Sequence, residues 1–320
     1  MFNKKKPYVL VFGASIVDIT GFSAVKYRQF NSNPGFVKIS YGGVCRNIAD
    51  NLSRVGVNTK FISILGNDEA GRSMMDHSKT VGYCMEDSLI LKNHGTPTYM
   101  VILDHEGEMV SAVVDMKGIN EADECFIDSK MESFEHAEYI VVDADSPLLL
   151  EYMLNKFPKA KFILDPVSAA KSEGIKHLVS KFHTVKPNIH EAEILTGMEI
   201  KTQEDMIHAA DYLHNLGITN VFISLGEEGI FYSNTSEKGK VKAQDVFAVN
   251  VTGAGDSLVA GICYGYMNGL KLRELVKFSI TMSVLTVCHE ETINPTMSED
   301  KVKTTIDRIL WEESTYVYGE

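Results

Sequence analysis

The residues best suited to chemistry lie in one run, Asn250-Val251-Thr252-Gly253-Ala254-Gly255-Asp256, followed by Ser257-Leu258-Val259-Ala260-Gly261. A glycine-rich turn that feeds a helix leaves the first backbone N–H groups without internal partners, and the helix dipole favours an anion there. Two glycines let the backbone approach a phosphate closely. Asp256 falls in the first helical turn, within reach of a hydroxyl attacking that phosphate, and is a general-base candidate. The plainer alternative is a glycine turn with a dipole-favoured aspartate, and for Gly-x-Gly-Asp alone the two stand level. Ala260 and Gly261 favour the phosphate reading, because small residues allow close packing beside a site.

A second group is Lys186-Pro187-Asn188-Ile189-His190-Glu191, at the start of a helix. Asn188 and Glu191 have the spacing of a capping box, and spacing alone favours that. A carboxylate near Mg²⁺, acting through water, is the functional alternative for Glu191. Phe222 to Gly229 reads as a strand ending in a glycine turn, with Ser224, Gly226 and Gly229 at the end where open α/β sheets bind ligands. In isolation it is a plain hairpin leading to Ile230-Phe231-Tyr232. Asp18, just past the first strand, is placed to bind sugar hydroxyls or to form a turn. Gly42-Gly43 and Asn47 offer amides and a carboxamide to the same sugar, with a solvated helix residue as the alternative for Asn47. Arg46 joins them as a sugar-side candidate, although arginine there is more often a surface residue.

These groups must be held by a scaffold, and the pattern specifies one. Val9–Phe12 reads as a buried strand stopped by Gly13, and residues 36–41 as a half-exposed strand. Val44, Ile48, Leu52 and Val55 recur at helical spacing up to Gly56. Thr59 to Leu65 reads as one strand and is followed by a helix to about Val81. Residues 98–103 and 108–115 form a hairpin across Asp104-His105-Glu106-Gly107. From Tyr139 on, strands starting near Tyr139, Lys161, Thr184 and Asn220 alternate with helices, the pattern of a mainly parallel sheet between helices. Long helices are expected over about 255–268 and 271–288, and a helical C-terminal tail. The fold class is α/β. The whole chain, 1–320, is expected to be one domain, with segments of about 20–41 and 96–115 inserted as a small β-sheet lid.

With 44% hydrophobic and 23% charged residues the chain is of ordinary globular type. A net charge of −12 argues against binding a nucleic acid polymer. The five scattered cysteines argue against a disulfide framework. No signal-peptide pattern or membrane-length apolar stretch is seen, so a cytoplasmic protein without membrane contact is expected. There is no P-loop, no dinucleotide fingerprint, no nucleophile elbow and no zinc-protease pair. The ten histidines show no metal-ligand spacing.

Taken in this order, the motifs resemble the ribokinase family of sugar and nucleoside kinases, from about residue 8 to residue 295. Gly42-Gly43 with Asn47 is similar to the family's N-terminal signature, Thr252 to Asp256 to its C-terminal signature, and Asn188-x-x-Glu191 to its magnesium and phosphate motif. The resemblance implies a ribokinase-like fold, ATP and Mg²⁺ as cofactors, and a small-molecule nucleoside or sugar as substrate. Asp256 would be the base, with Gly253, Ala254 and Gly255 as the anion hole. Asp18, Gly42, Gly43, Asn47 and Arg46 would hold the acceptor. Asn188, Ser224, Gly226, Gly229 and Thr252 would border the nucleotide, and Glu191 would help position Mg²⁺. A homodimer through the lid is implied as well. One departure stands out: Asn250 is neutral where many members carry an acid that supports a monovalent cation, which puts potassium activation in doubt.

Further residues resemble one nucleoside-kinase branch of the family. They are Ser32-Asn33-Pro34-Gly35, Val37 to Ser40, Arg46 to Ala49, Thr98-Tyr99, Gly107-Glu108-Met109, Asp115-Met116, Lys186-Pro187-Asn188 and Asn250-Val251-Thr252. The reaction implied is transfer from ATP to the 5′-hydroxyl of pseudouridine, with Asn33, Thr98 and Tyr99 placed to reach its sugar or base. The alternatives are a free-sugar kinase, a kinase of another nucleoside, and an inactive sensor of such molecules.

Overall fold

Four apolar residues in succession, Val9-Leu10-Val11-Phe12, suit a strand covered on both faces. The structure, a computed structural model describing residues 2–316, forms that strand with all four residues buried. The chain runs β1 (Val9–Phe12), β2 (Ile16–Ser23), β3 (Gly35–Gly42), α1 (Val44–Arg54), β4 (Thr59–Ile62), β5 (Ile64–Gly66), α2 (Glu69–Val81), β6 (Leu89–Leu91), β7 (Thr98–Leu103) and β8 (Met109–Asp115). It continues through α3 (Glu124–Asp128), α4 (Met131–Glu135), β9 (Tyr139–Asp143), α5 (Pro147–Lys156), β10 (Phe162–Asp165), α6 (Ala169–Ile175), β11 (Thr184–Val185), α7 (Ile189–Thr196) and α8 (Gln203–Asn215). It ends with β12 (Asn220–Ser224), β13 (Ile230–Ser233), β14 (Lys238–Ala243), α9 (Ala254–Met267), α10 (Leu272–Val287), α11 (Glu299–Ile306) and β15 (Trp311–Tyr316).

The nine-stranded sheet has the order β15-β14-β13-β12-β11-β10-β9-β1-β4. The six strands from β12 to β4 are parallel, and β13, β14 and β15 are antiparallel. Alternate residues enter two cores, as the two-residue period of a strand requires. Val9, Val11, Val141 and Ile163 pack under α1, α9 and α10. Leu10, Phe12, Ile140, Val142 and Leu164 pack under α5, α7 and α8. The parallel strands all end on one rim, and there the chain places Asp143, Asp165, Lys186 and Ser224.

A separate four-stranded sheet, β3-β2-β7-β8, is strung between β1 and α1 and between α2 and β9. It starts at Ile16, earlier than expected, so Asp18 is a residue of β2 and not a turn former. Its neighbours across the sheet are Ser40 and Tyr99.

Two other expectations are corrected. Thr59 to Leu65 is two strands that break at Ser63: β4 joins the large sheet and β5 pairs with β6. Both halves are buried, and apolar pairs, Phe61-Ile62 and Ile64-Leu65, flank Ser63, so hydrophobicity gave no sign of the break. The tail is helical only as far as α11. Trp311–Tyr316 then pairs with β14 through six residues, and residues 317–320 lie outside the described part.

Candidate active site

α9 begins at Gly253, which has φ 83°. A side chain at this position would run into the Thr292 carbonyl, so both dihedral and space require glycine. Among the described residues no side chain caps this helix, whereas α2, α7, α8 and α11 are capped by Asp68, Asn188, Thr202 and Ser298. Its first turn therefore keeps donors for an anion, although the Ala254 N–H leans on Val251 O at 3.3 Å. Asn250 secures the approach: its Oδ1 accepts the Thr252 N–H at 3.0 Å and its Nδ2 donates to Glu290 O at 2.9 Å.

A cation faces this helix end. The Lys186 Nζ lies 3.0 Å from the point where a Cβ on Gly255 would sit, and 3.0 Å from Asp165 Oδ2. An ammonium beside the positive end of a helix dipole is unfavourable unless negative charge is shared between them. Asp165 supplies part of that charge, and a phosphate would supply the rest. Asp165 Oδ1 also accepts the N–H of Val167, a β-branched residue held at φ 68° in the turn after β10.

Asp256 is 8% exposed. Burial, then the charge of Asp165, pushes its carboxyl up to about 7, against the pull of Asn47, Lys186 and Arg46. The Asn47 Nδ2 donates to Asp256 Oδ2 at 2.6 Å across 209 residues of chain. The Asn47 Oδ1 and the Ser15 Oγ are buried without a hydrogen-bond partner among the described residues. Buried acceptors are rarely left so, and a donor brought by a ligand hydroxyl would satisfy them. Asp18 is half-buried; burial raises its carboxyl, and Arg46 partly offsets that. A side chain at Gly42 would strike the Asp18 carboxylate, so β3 passes close beside it.

At the other end of the rim, Asn188 and Glu191 form a complete capping box. Asn188 N–H donates to Glu191 Oε2 at 2.8 Å and Glu191 N–H to Asn188 Oδ1 at 2.9 Å. Glu191 is buried, which raises its carboxyl. Ser224 bridges to Asn188, and its N–H donates to Pro187 O at 2.9 Å. Gly226 and Gly229 bound the turn between β12 and β13.

The structure thus joins Asp256, Gly253–Gly255, Asn47, Gly42 and Asp18 on one side, and Asn188, Glu191 and Ser224 on the same rim. Tyr99 shares the Asp18 face of the small sheet, whereas Thr98 falls in register with Val17 and donates its hydroxyl to Thr96 O. Asn33 is not brought to the cluster: its side chain bonds Arg28 and Asn31 in the β2–β3 turn, at the far end of the hairpin. Arg46 is corrected too. Its guanidinium turns inward to Asp50 Oδ2 and Tyr41 O, because a buried carboxylate one helical turn away is the stronger attraction. Three contributors escaped the sequence: Ser15, Asp165 and Lys186. The last two carried a signal, since each is charged and sits at or just beyond the carboxyl end of a parallel strand.

A family model described as pfkB family carbohydrate kinase matches residues 6–299. The chain belongs to the pfkB family of carbohydrate kinases. It is 33% identical over 297 residues to the pseudouridine kinase of Escherichia coli (strain K12), covering 92% of this kinase and 95% of that one. It is 27% identical to the guanosine-inosine kinase of Exiguobacterium acetylicum, covering 88% and 95%. A solved structure of a candidate sugar kinase from Clostridium perfringens is 56% identical, covers 98% and 99% of the two chains and superposes with a TM-score of 0.95. Arabidopsis thaliana ribokinase, solved with ribose and ATP, shares the fold at a TM-score of 0.83 and 20% identity, covering 94% and 98%. The ribokinase-like fold expected from the motifs is the fold observed.

Proposed function

We propose that this kinase phosphorylates the 5′-hydroxyl of a nucleoside, with pseudouridine as its substrate and ATP as the donor. The observation that carries the phosphoryl-transfer reading is the pairing of Asp256, poised near neutrality, with an uncapped helix end that faces Lys186. The acceptor hydroxyl gives its proton to an Asp256 carboxylate oxygen. The hydroxyl oxygen then forms a bond to the γ-phosphorus as the bond to the β-phosphate oxygen breaks, and ADP leaves. The amides of Gly253, Ala254 and Gly255 and the Lys186 ammonium hold the charge on the equatorial oxygens. Asp18, Gly42, Gly43 and Asn47 orient the acceptor, and the unpartnered Asn47 Oδ1 suits one of its hydroxyls. Asn188, Ser224, Gly226, Gly229 and Thr252 border the nucleotide.

The capping bond takes only one oxygen of Glu191, which leaves the other for a hydrated Mg²⁺. That ion would neutralise charge between the β- and γ-phosphates. The Asn250 amide already donates to the Glu290 carbonyl, which supports turnover without a monovalent cation.

The substrate assignment is supported by the 33% identity to a pseudouridine kinase across nearly the whole chain. The small sheet is proposed as a lid inserted in a single domain. Its face opposite Asp18 carries Val37, Ile39, Met100 and Val113, between 44% and 68% exposed, which favours pairing with a second copy of the chain. Among the described residues no helix is long and apolar enough to cross a membrane, in keeping with the cytoplasmic location proposed.

A free-sugar kinase and a guanosine-type nucleoside kinase are the alternatives. The test is ADP release with Mg-ATP and pseudouridine, uridine, guanosine, inosine, adenosine, ribose or fructose. Turnover confined to pseudouridine is expected. Preference for ribose or fructose would overturn the nucleoside assignment and keep the kinase. Turnover on none of them, with ATP bound, would favour an inactive sensor.

A further inference from the structure

Asp50 is fully buried on α1 and meets two arginines and a histidine. Arg46 Nη1 lies 3.2 Å from its Oδ2, Arg54 Nε 2.5 Å from its Oδ1, and His77 Nε2 of α2 2.8 Å from its Oδ2. Burial alone would raise this carboxyl, but His77, Arg46 and Arg54 reverse the effect and hold it below its usual range. Arg54 and His77 already give the carboxylate both an ion-pair partner and a hydrogen-bond partner, so neutralising it does not explain Arg46.

What sets Arg46 apart is its other arm. Its Nη2 donates to the carbonyl of Tyr41, the residue before Gly42-Gly43, where β3 leaves the small sheet and α1 begins. The Tyr41 ring packs on the His77 ring at 5.5 Å, and its hydroxyl meets Ser73 Oγ at 2.5 Å. The root of β3 is therefore gripped by its backbone from α1 and by its side chain from α2. Arg46 Nε is buried with no hydrogen-bond partner among the described residues.

We propose that Arg46 is a positioning residue for the acceptor site. Anchored on Asp50, it fixes the junction of β3 and α1, and with it the Gly42-Gly43 backbone beside Asp18 and the Asn47 amide on Asp256. It touches no substrate. The chain from Arg46 to the acceptor is short: Asn47 is its neighbour on α1, and Gly42 follows the carbonyl it holds. The kinetic part of this proposal rests on the kinase reading above; the structural part does not.

The test compares Arg46→Met, Arg46→Lys and Arg54→Met by acceptor KM, ATP KM, kcat and melting temperature, and by hydrogen–deuterium exchange over residues 40–47. Arg54→Met is the control, since it removes an ion pair with the same carboxylate but no contact with Tyr41. Arg46→Met is expected to raise acceptor KM by roughly tenfold or more while ATP KM stays within about twofold, the pattern of lost acceptor positioning. Exchange over 40–47 should quicken in the same variant. Arg46→Lys keeps the charge but loses the forked geometry, so it should recover part of both effects. Arg54→Met should lower the melting temperature and leave acceptor KM and exchange over 40–47 unchanged.

Wild-type acceptor KM and exchange in Arg46→Met would overturn the proposal. So would an Arg54→Met variant that matches Arg46→Met in both. Should Arg46→Met fail to fold, Arg46→Lys decides alone: quickened exchange supports the proposal and wild-type exchange sinks it. If the wild type phosphorylates no acceptor, the kinase reading fails, and exchange over 40–47 still judges Arg46.

Discussion

Replacing Asp256 by Asn should destroy turnover and stabilise the protein. The folded chain holds this carboxyl's proton up to about pH 7, against 3.8 for the ordinary group. An unfolded chain would lose it near the ordinary value. Between those limits the folded state binds more protons than the unfolded state, so stability contributed at this site falls as pH rises, and above about pH 7 the loss is complete. At about 1.36 kcal/mol per unit, the ionised carboxylate costs the fold up to about 4 kcal/mol. Asn has no such penalty, and its carbonyl can still accept the Asn47 N–H.

Unfolding entropies of about 2.1 cal/mol/K per residue, applied to 320 residues, put each kcal/mol at about 1.5 °C. The variant should therefore melt roughly 3–6 °C above wild type at pH 8, with the gain shrinking towards pH 4. Its kcat should fall by roughly 10²- to 10⁴-fold. In the wild type, kcat/KM should drop about tenfold per pH unit below about 7, as the base is protonated. Thermal melts at pH 5 and pH 8, with ADP release by the same samples, test all of this. A variant that melts lower at pH 8 and keeps more than about a tenth of wild-type turnover would refute both the base and the burial argument.

Lys186→Met leaves Asp165 buried and unpaired, which should cost about 3–5 kcal/mol. Adding Asp165→Asn should restore the melting temperature but leave kcat at least about tenfold down, as expected if the ammonium serves the transferred phosphoryl group. Glu191→Gln keeps an acceptor for the Asn188 N–H, so its melting temperature should barely move while the Mg²⁺ concentration for half-maximal rate rises. A fall in melting temperature alone would leave Glu191 as a helix cap and nothing more. Ile39→Glu on the open face of the small sheet should turn a dimer into a monomer by light scattering; an unchanged mass would show that another surface, or none, joins the copies.

The large sheet was legible because its strands are short apolar runs separated by helical periods, and Tyr139, Thr184 and Asn220 each begin a strand where the pattern placed one. The glycine turn and helix start of α9 were legible from Gly253 to Asp256, although that spacing alone left a plain turn as open as a phosphate site. Arg46 was misplaced for a physical reason. Sequence spacing shows that Asp50 is one helical turn away, but not that it is buried, and burial decides which partner an arginine takes. Asn33 was misplaced because a turn residue and a ligand residue carry the same carboxamide. Ser15 gave no signal at all; only the closed packing shows that its hydroxyl lacks a partner. Lys186 was in plain view beside Asn188, yet its role depends on β10 and β11 lying side by side.

The hydrogen bond from Asn47 to Asp256 also bears on how the chain is made. At roughly 5–20 residues per second, the 209 residues between them take about 10–40 s to synthesise. β1 and β4 can pair once the first 62 residues have emerged, but β1's other neighbour, β9, comes only with residues 139–143. From β9 onward, the residues proposed to hold the acceptor are all synthesised while Asp256, the proposed base, is not. A nascent chain ending before α9 lacks Asp256, so with the base proposed above, phosphoryl transfer begins only with the product of nearly complete translation.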